Sequence, residues 1–339
     1  MQSYIVSHNI KVHLLKKILN TCLKIVLPFL LGGAIMYRTY RDFDLSQVGR
    51  ILRQMDWFWM VVSLIFGVLS HVLRGWRWKQ TLEPMGEHAR LNNCVNAIFV
   101  SYASNMIIPR LGEISRCGVL TKYDGVSFSK ALGTVVTERL IDSLCVLAII
   151  GVTLLLNIHV FDAFFAKTGS NFHSLGDLFS SPIIYIVGAS ILAFLVLLYF
   201  LIRKFTFFSK IKGIMSNVWE GILSLRKVEN LPLFVFYTVA IWACYFFHFY
   251  LTFYCFDFSA HLGWMAGLVM FVGGSIAVLV PTPNGAGPWH FAVISMMSLY
   301  GVSWEDAGIF ALIVHGIQTL LIILLGIYGL AVLPFTNKR

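Results

Sequence analysis

The sequence predicts an all-α polytopic integral membrane protein, with about six full spans plus two re-entrant broken-helix hairpins in an inverted internal repeat. Three observations predict it. Of the 339 residues, 58% are hydrophobic and only 12% are charged, with a mean hydropathy of +0.78; soluble domains carry about 25% charged residues. The apolar runs are long and continuous, which excludes the alternating strands of an outer-membrane barrel. Finally, two stretches share one design. Phe99 to Arg116 and Phe271 to His290 both open with Phe-Val and reach a proline ten residues on, at Pro109 and Pro281. A Gly-Val-Ser phrase follows each, at Gly125 and at Gly301. The spacing is 172 residues at the prolines and 176 at that phrase, so the second copy holds four extra residues near its break.

The elements follow in order. Span one is predicted at about Ile18 to Met36, behind Lys11, Lys16 and Lys17. It is long for a signal-peptide core and no small-x-small cleavage site follows, so it reads as an uncleaved span with Lys24 snorkelling to the interface. A polar link, Tyr37 to Asp56, leads to span two at about Trp57 to Leu73. Arg74, Trp76, Arg77, Trp78 and Lys79 then read as an interfacial anchor, aromatics at headgroup level and cations beyond. Asn92 to Ile108 is a softer apolar run that breaks at Pro109. As a straight helix it would measure about 25 Å, more than half a bilayer. Span three is predicted at Ser127 to Leu156, and span four at Pro182 to Ile202 after a weakly charged loop. The basic segment from Arg203 to Asn230 reads as amphipathic and cytoplasmic. Span five covers Leu231 to Phe256, Leu262 to Val280 breaks at Pro281, and span six covers Trp304 to Leu333. Residues 1–339 form one transmembrane domain, with repeat one at about 57–156 and repeat two at about 231–334.

Orientation follows from Lys and Arg. The Arg203 to Asn230 segment holds six cations and is expected inside, whereas Asn157 to Ser181 holds only Lys167 and is expected outside. If each broken segment returns to its own side, the N-terminus, the Lys79 to Leu91 loop and the C-terminus all fall inside. If each crosses, the Lys338-Arg339 tail lands outside. The hairpin arrangement fits the charges slightly better, although it leaves Arg38, Arg41, Arg50 and Arg53 outside, only partly offset by Asp42, Asp44 and Asp56. Three full spans then separate matching elements, so the copies are inverted and their hairpins enter from opposite faces, a recurrent transporter plan. The net charge of +10 belongs to this topology and does not imply nucleic acid. Six cysteines lie singly, with no zinc-like spacing, so neither a metal nor a cofactor is expected.

The chemistry gathers at the breaks. At the first, Pro109, Arg110, Gly112, Glu113 and Arg116 can open a helix N-terminus toward an anionic group, with the arginines as bidentate phosphate ligands. Glu113 can pair with Arg110 or Arg116 when no ligand is bound. The second break holds Pro281, Pro283, Asn284, Gly285, Gly287 and His290, whose glycines allow a tight turn or close backbone approach. In span three, Glu138 and Asp142 share a helix face, and Arg139 reaches Asp142 at i, i+3. Unpaired charge at that depth costs about 2.5–3.5 kcal/mol or more, so these groups face protein or water. The repeat-matched positions include His315 and Gln318. Two readings stay open: a polar translocation path or proton relay, and a buried ion network that holds helices together.

The phrase Asn105-x-x-x-Pro109-Arg110-x-Gly112-Glu113-x-x-Arg116, with Glu138-Arg139-x-x-Asp142 and the late Pro-x-Pro-x-Gly-x-Gly, resembles the lysylphosphatidylglycerol synthase transmembrane-region family. This is the flippase-like domain of the multiple peptide resistance factor, and the resemblance spans about Ile18 to Leu333. It implies the flippase part alone, without the aminoacyl-transferase domain. Trp289-His290 stands where the late family motif often has an acidic residue. The function expected is therefore a flippase or transporter, not an enzyme, moving a polar-headgroup lipid between leaflets of the bacterial inner membrane. The partner is a phospholipid or isoprenoid-linked lipid, with a second copy or an envelope-synthesis enzyme as protein partner. The alternative is a membrane-embedded enzyme or accessory subunit acting on a lipid-linked envelope intermediate, with Glu113 or Glu138 as base.

Overall fold

A computed structural model describes residues 26–108, 110–156 and 228–338. The start of span one, Pro109, the Asn157 to Ser181 loop, span four and nearly all of the basic segment lie outside the described residues. Within them the chain is helical, with no strand. α1 covers 26–40 and is followed by a 3-10 turn, Leu45–Gln47, and the short α2, Val48–Gln54. The first repeat comprises α3 (Trp57–Leu82), α4 (Leu91–Ile107), α5 (Leu111–Asp124) and α6 (Phe128–Leu156). The second comprises α7 (Leu231–Tyr250, extended by a 3-10 turn to Cys255), α8 (Trp264–Ala277), α9 (Pro288–Leu299) and α10 (Trp304–Thr336). α3, α6, α7 and α10, with their 3-10 extensions, are long and apolar enough to cross a membrane.

The shorter helices pair off as two hairpins. α4 and α5 run antiparallel. At their open end Asp124 accepts from Arg90 Nε at 2.7 Å and from Asn93 Nδ2 at 2.8 Å. At the tip the Gly112 amide donates to Asn105 Oδ1 at 2.7 Å. A Cβ on Gly112 would lie 2.3 Å from the Ser101 carbonyl oxygen, so only glycine permits this approach. α8 and α9 pair in the same way, with Gly274 against the Trp289 indole. Among the described residues, the two non-glycine residues with left-handed backbone, Arg110 (φ 67°) and Asn284 (φ 51°), stand one at each break. The Gly-Val-Ser phrases also have one structural role. Gly125 (φ 71°) and Gly301 (φ 88°) end α5 and α9, a buried valine follows, and serine starts the next long helix.

Matching helices of the two repeats run in opposite directions. Along the α3–α7 interface, Ser63 and Gly67 meet His248, Leu73 packs with Ile241, and Arg77 reaches Thr238. Each long helix closes on the other repeat's hairpin. α10 lays Gly326 on Ala103 and Gly329 on the Asn96 carbonyl of α4, and small residues let these backbones approach. α6 packs on α8, where Ile149, Ile150 and Leu154 meet the core of the second repeat. The 3-10 turn Pro283–Gly285 at the second tip rests on α4, so the second break lies against the first hairpin.

Two sequence expectations are corrected. Span two does not end at Leu73: α3 continues to Leu82. The Arg74 to Lys79 stretch is not an interfacial anchor. Arg74, Arg77 and Trp78 are buried, Trp76 is exposed, and Lys79 pairs with Glu83 at 2.5 Å. They turn inward because α6 presents two carboxylates at the same level.

Candidate functional site

The site begins on α6. Glu138 and Asp142, one turn apart, project from a helix whose far side is studded with exposed leucines such as Leu144 and Leu147. Burying two carboxylates in this setting requires counter-charges. α3 supplies Arg74 and Arg77, three residues apart on one face, and α5 supplies Arg116. Asp142 receives both α3 arginines: Arg74 forms an ion pair with Oδ2, and Arg77 Nη2 donates to Oδ1 at 2.7 Å. Glu138 receives Arg116 Nη1 at 2.8 Å, with Arg77 Nε 3.7 Å from its other oxygen. Arg77 therefore bridges the two carboxylates at 0% exposure, with Glu138 at 1%.

Uncharged groups complete the shell. Arg74 Nη1 donates to the hydroxyls of Tyr102 on α4 and Tyr245 on α7, which bond each other at 2.6 Å. Arg77 Nη1 donates to Thr238 Oγ1 at 3.2 Å. The Arg116 guanidinium stacks 4.6 Å from the Trp78 ring centroid, and the Trp78 indole N–H donates to Thr134. At the rim, Arg139 Nε lies 3.3 Å from Glu113 Oε1 and its Nη1 lies 4.0 Å from Asp142. This outer pair is partly exposed. Five elements thus converge, α3 to α7, and three buried arginines face two buried carboxylates. The Nε atoms of Arg74, Arg77 and Arg116 remain buried without a hydrogen-bond acceptor, and Glu138 Oε1 without a donor. The inner cluster thus carries three cations against two anions, with guanidinium donors left over.

The second repeat carries an uncharged counterpart. His315 Nε2 lies 3.0 Å from the Asn284 carbonyl oxygen, and Asn284 Nδ2 donates to Thr319 at 2.7 Å. Gln318 Nε2 donates to the His248 carbonyl of α7 at 2.9 Å, as Asp142 accepts from α3. The correspondence is positional. Glu113 with Arg139 and Trp289 with His315 are offset by the same 176 residues, and the Trp289 and His315 rings lie 5.1 Å apart. His290 also faces His315, at 4.6 Å between ring centroids. A hairpin-to-long-helix contact therefore recurs in both copies, charged in one and aromatic in the other.

The sequence-predicted residues divide between these places. Glu113, Arg116, Glu138, Arg139 and Asp142 meet in the charged cluster, and Asn105 and Gly112 close the tip of its hairpin. Arg110 is exposed at the break and does not converge with Arg116, which is turned onto Glu138. Glu113 pairs with Arg139, not with either of those arginines. Asn284, His290, His315 and Gln318 belong to the uncharged counterpart, where Gly285 and Gly287 adopt φ of 72° and 92°. Pro281 is exposed and Pro283 half-buried beside it. Sequence reasoning missed Arg74, Arg77, Tyr102, Thr238 and Tyr245. One signal was available: Glu138 and Asp142 need more counter-charge than Arg139 supplies. Among the described residues no cluster of three or more His, Cys, Asp or Glu could hold a metal ion.

A family model described as the Lysylphosphatidylglycerol synthase TM region matches residues 25–326. The chain is 27% identical over 112 residues to the glycosyltransferase AglD of Haloferax volcanii, covering 33% of this chain and 18% of that protein. It is 25% identical over 130 residues to a UPF0104 membrane protein of Methanocaldococcus jannaschii, covering 38% of each. The matches thus span well under half the length of either relative. No solved structure matches the chain.

Proposed function

We propose that this chain, which belongs to the lysylphosphatidylglycerol synthase transmembrane-region family, moves a lipid with an anionic headgroup between the leaflets of the bacterial inner membrane. The observation that carries this reading is the buried charged cluster, where Arg74, Arg77 and Arg116 outnumber Glu138 and Asp142 and keep unpartnered donors. A water-excluded cluster of this kind receives a phosphate far better than exposed lysines do. The inverted arrangement of the repeats supports alternate exposure of one central site to the two faces. The Arg139–Glu113 pair at the rim is the door through which the headgroup enters. An apolar groove of about 640 Å³ between α3, α4 and α10, walled by Val72, Val95, Phe99 and Leu325, leaves room for a hydrocarbon chain. Arg110, exposed at the break, is placed to make the first contact with an arriving headgroup. The N- and C-termini lie in the cytoplasm in this reading.

Reconstitution tests it. Proteoliposomes carrying fluorescent phosphatidylglycerol are quenched from outside, and the quenched fraction reports lipid movement. Wild-type protein accelerates quenching of the inner-leaflet pool, and Arg116→Gln slows it about ten- to a hundredfold, the worth of one charge-assisted contact. Rates equal to those of protein-free vesicles across anionic and zwitterionic headgroups would sink the proposal. The relative named as a glycosyltransferase supports a second reading, an accessory subunit that presents a lipid-linked intermediate to an envelope enzyme. Headgroup binding without transport would favour it.

A further inference from the structure

We infer that Glu138 and Asp142 set how much negative charge the site accepts, and that it accepts one: a lipid phosphodiester in preference to a diphosphate-linked lipid. This rests on the lipid-transport reading above. Counted with arginines as cations, their paired carboxylates as anions and the buried His71, whose ring lies 4.2 Å from that of Tyr102, as neutral, the inner cluster holds Arg74, Arg77 and Arg116 against Glu138 and Asp142. The rim adds Arg139 and Glu113, which cancel. The surplus is one positive charge with or without this rim pair. The other groups facing the cluster, Tyr102, Tyr245, Thr238 and Trp78, bring no formal charge.

A phosphodiester matches this surplus. It carries one charge over two free oxygens, and the buried Nε atoms of Arg74, Arg77 and Arg116 lack acceptors. A diphosphate brings at least two charges and leaves the filled site negative, among side chains that are almost fully buried. One uncompensated charge at membrane depth corresponds to roughly 100-fold in affinity. The two carboxylates are therefore more than ballast for the arginines. They tune the site, because removing one raises the surplus to two and removing one arginine abolishes it.

The test uses the full chain purified in detergent and two lipids with identical tails, dioleoylphosphatidylglycerol and dioleoylglycerol pyrophosphate, in competition by native mass spectrometry. Wild type should favour phosphatidylglycerol by roughly 100-fold. Asp142→Asn should move the preference toward the pyrophosphate lipid, and if that variant does not fold, Glu138→Gln makes the same change in count. The double variant Arg116→Gln/Glu138→Gln keeps the surplus at one, and should bind more weakly overall yet still favour phosphatidylglycerol. A merely structural role for these residues predicts no such split. Dimethyl phosphate, a diester without tails, should not displace either lipid at equal concentration; displacement would show a site for soluble anions and overturn the lipid assignment. Wild type that binds both lipids equally, or carboxylate variants that keep the wild-type preference, would overturn the charge count and leave transport standing. Wild type that binds neither lipid would overturn the transport reading with it.

Discussion

Arg77→Met is the most informative stability test of the charged cluster. Methionine retains an unbranched apolar stem of similar length, so the substitution removes charge and donors with little loss of packing. Arg77 is fully buried and touches both carboxylates, at 2.7 Å from Asp142 and 3.7 Å from Glu138. Its loss leaves Asp142 to Arg74 and Glu138 to Arg116, a buried set of two against two with weakened geometry. Removing one partner of a buried pair costs about 3–5 kcal/mol, and the surviving partners place this variant near the lower end, about 3 kcal/mol. The matched control is Arg139→Met. Arg139 also contacts two carboxylates, but its side chain is 40% exposed and Glu113 is 24% exposed. A partly exposed pair contributes about 1 kcal/mol or less. Thermal unfolding in detergent, followed by tryptophan fluorescence, should show a fall of about 5–10 °C for Arg77→Met and about 2 °C or less for Arg139→Met. Equal shifts for the two variants would refute the inference that burial, not the number of ionic contacts, decides which arginine holds the bundle.

Other outcomes follow from the backbone. Gly112→Ala should destabilise by about 2–4 kcal/mol, because the new methyl meets the Ser101 carbonyl and the bond to Asn105 is lost; Gly118→Ala, with open space around it, should be neutral or slightly stabilising in the same melt. Arg110→Gly should raise stability by about 1 kcal/mol by relieving a left-handed arginine, while slowing transport in the vesicle assay; an unchanged transport rate would remove Arg110 from the headgroup path. Cysteines at Ser129 and Ser303, in a background without native cysteines, should be labelled from opposite faces, since Asn337 at the end of α10 meets Asn93 beside the start of α4. Labelling of both from the cytoplasm would refute the inversion.

Much of the architecture was legible along the chain. Apolar run length marks the long helices, since a lipid-facing helix must be apolar over a whole bilayer thickness. The paired prolines and Gly-Val-Ser phrases mark the hairpins, because breaks, left-handed caps and helix starts are local events governed by a few adjacent residues. The inversion followed from counting spans and is visible in the antiparallel contacts of α3 with α7. Glu138 and Asp142 declared themselves by their depth in α6.

The sequence by itself therefore determined the long membrane-spanning helices among the described residues, the two breaks, the repeat and the presence of buried acid in α6. Only the tertiary structure decided which cations answer that acid. Arg74 and Arg77 follow an apolar span and sit among tryptophans, a pattern that an interfacial anchor shares with a buried ion cluster. The difference lies in what faces them across the helix–helix interface, 65 residues along the chain at Asp142 and 161 residues along at Thr238. The same is true of Arg116, whose side chain could have turned toward the break but is drawn to Glu138 and covered by Trp78. Local pattern reports the depth of a charge in the membrane. The partner that makes the burial tolerable is set by packing between helices distant in sequence, which no local pattern encodes.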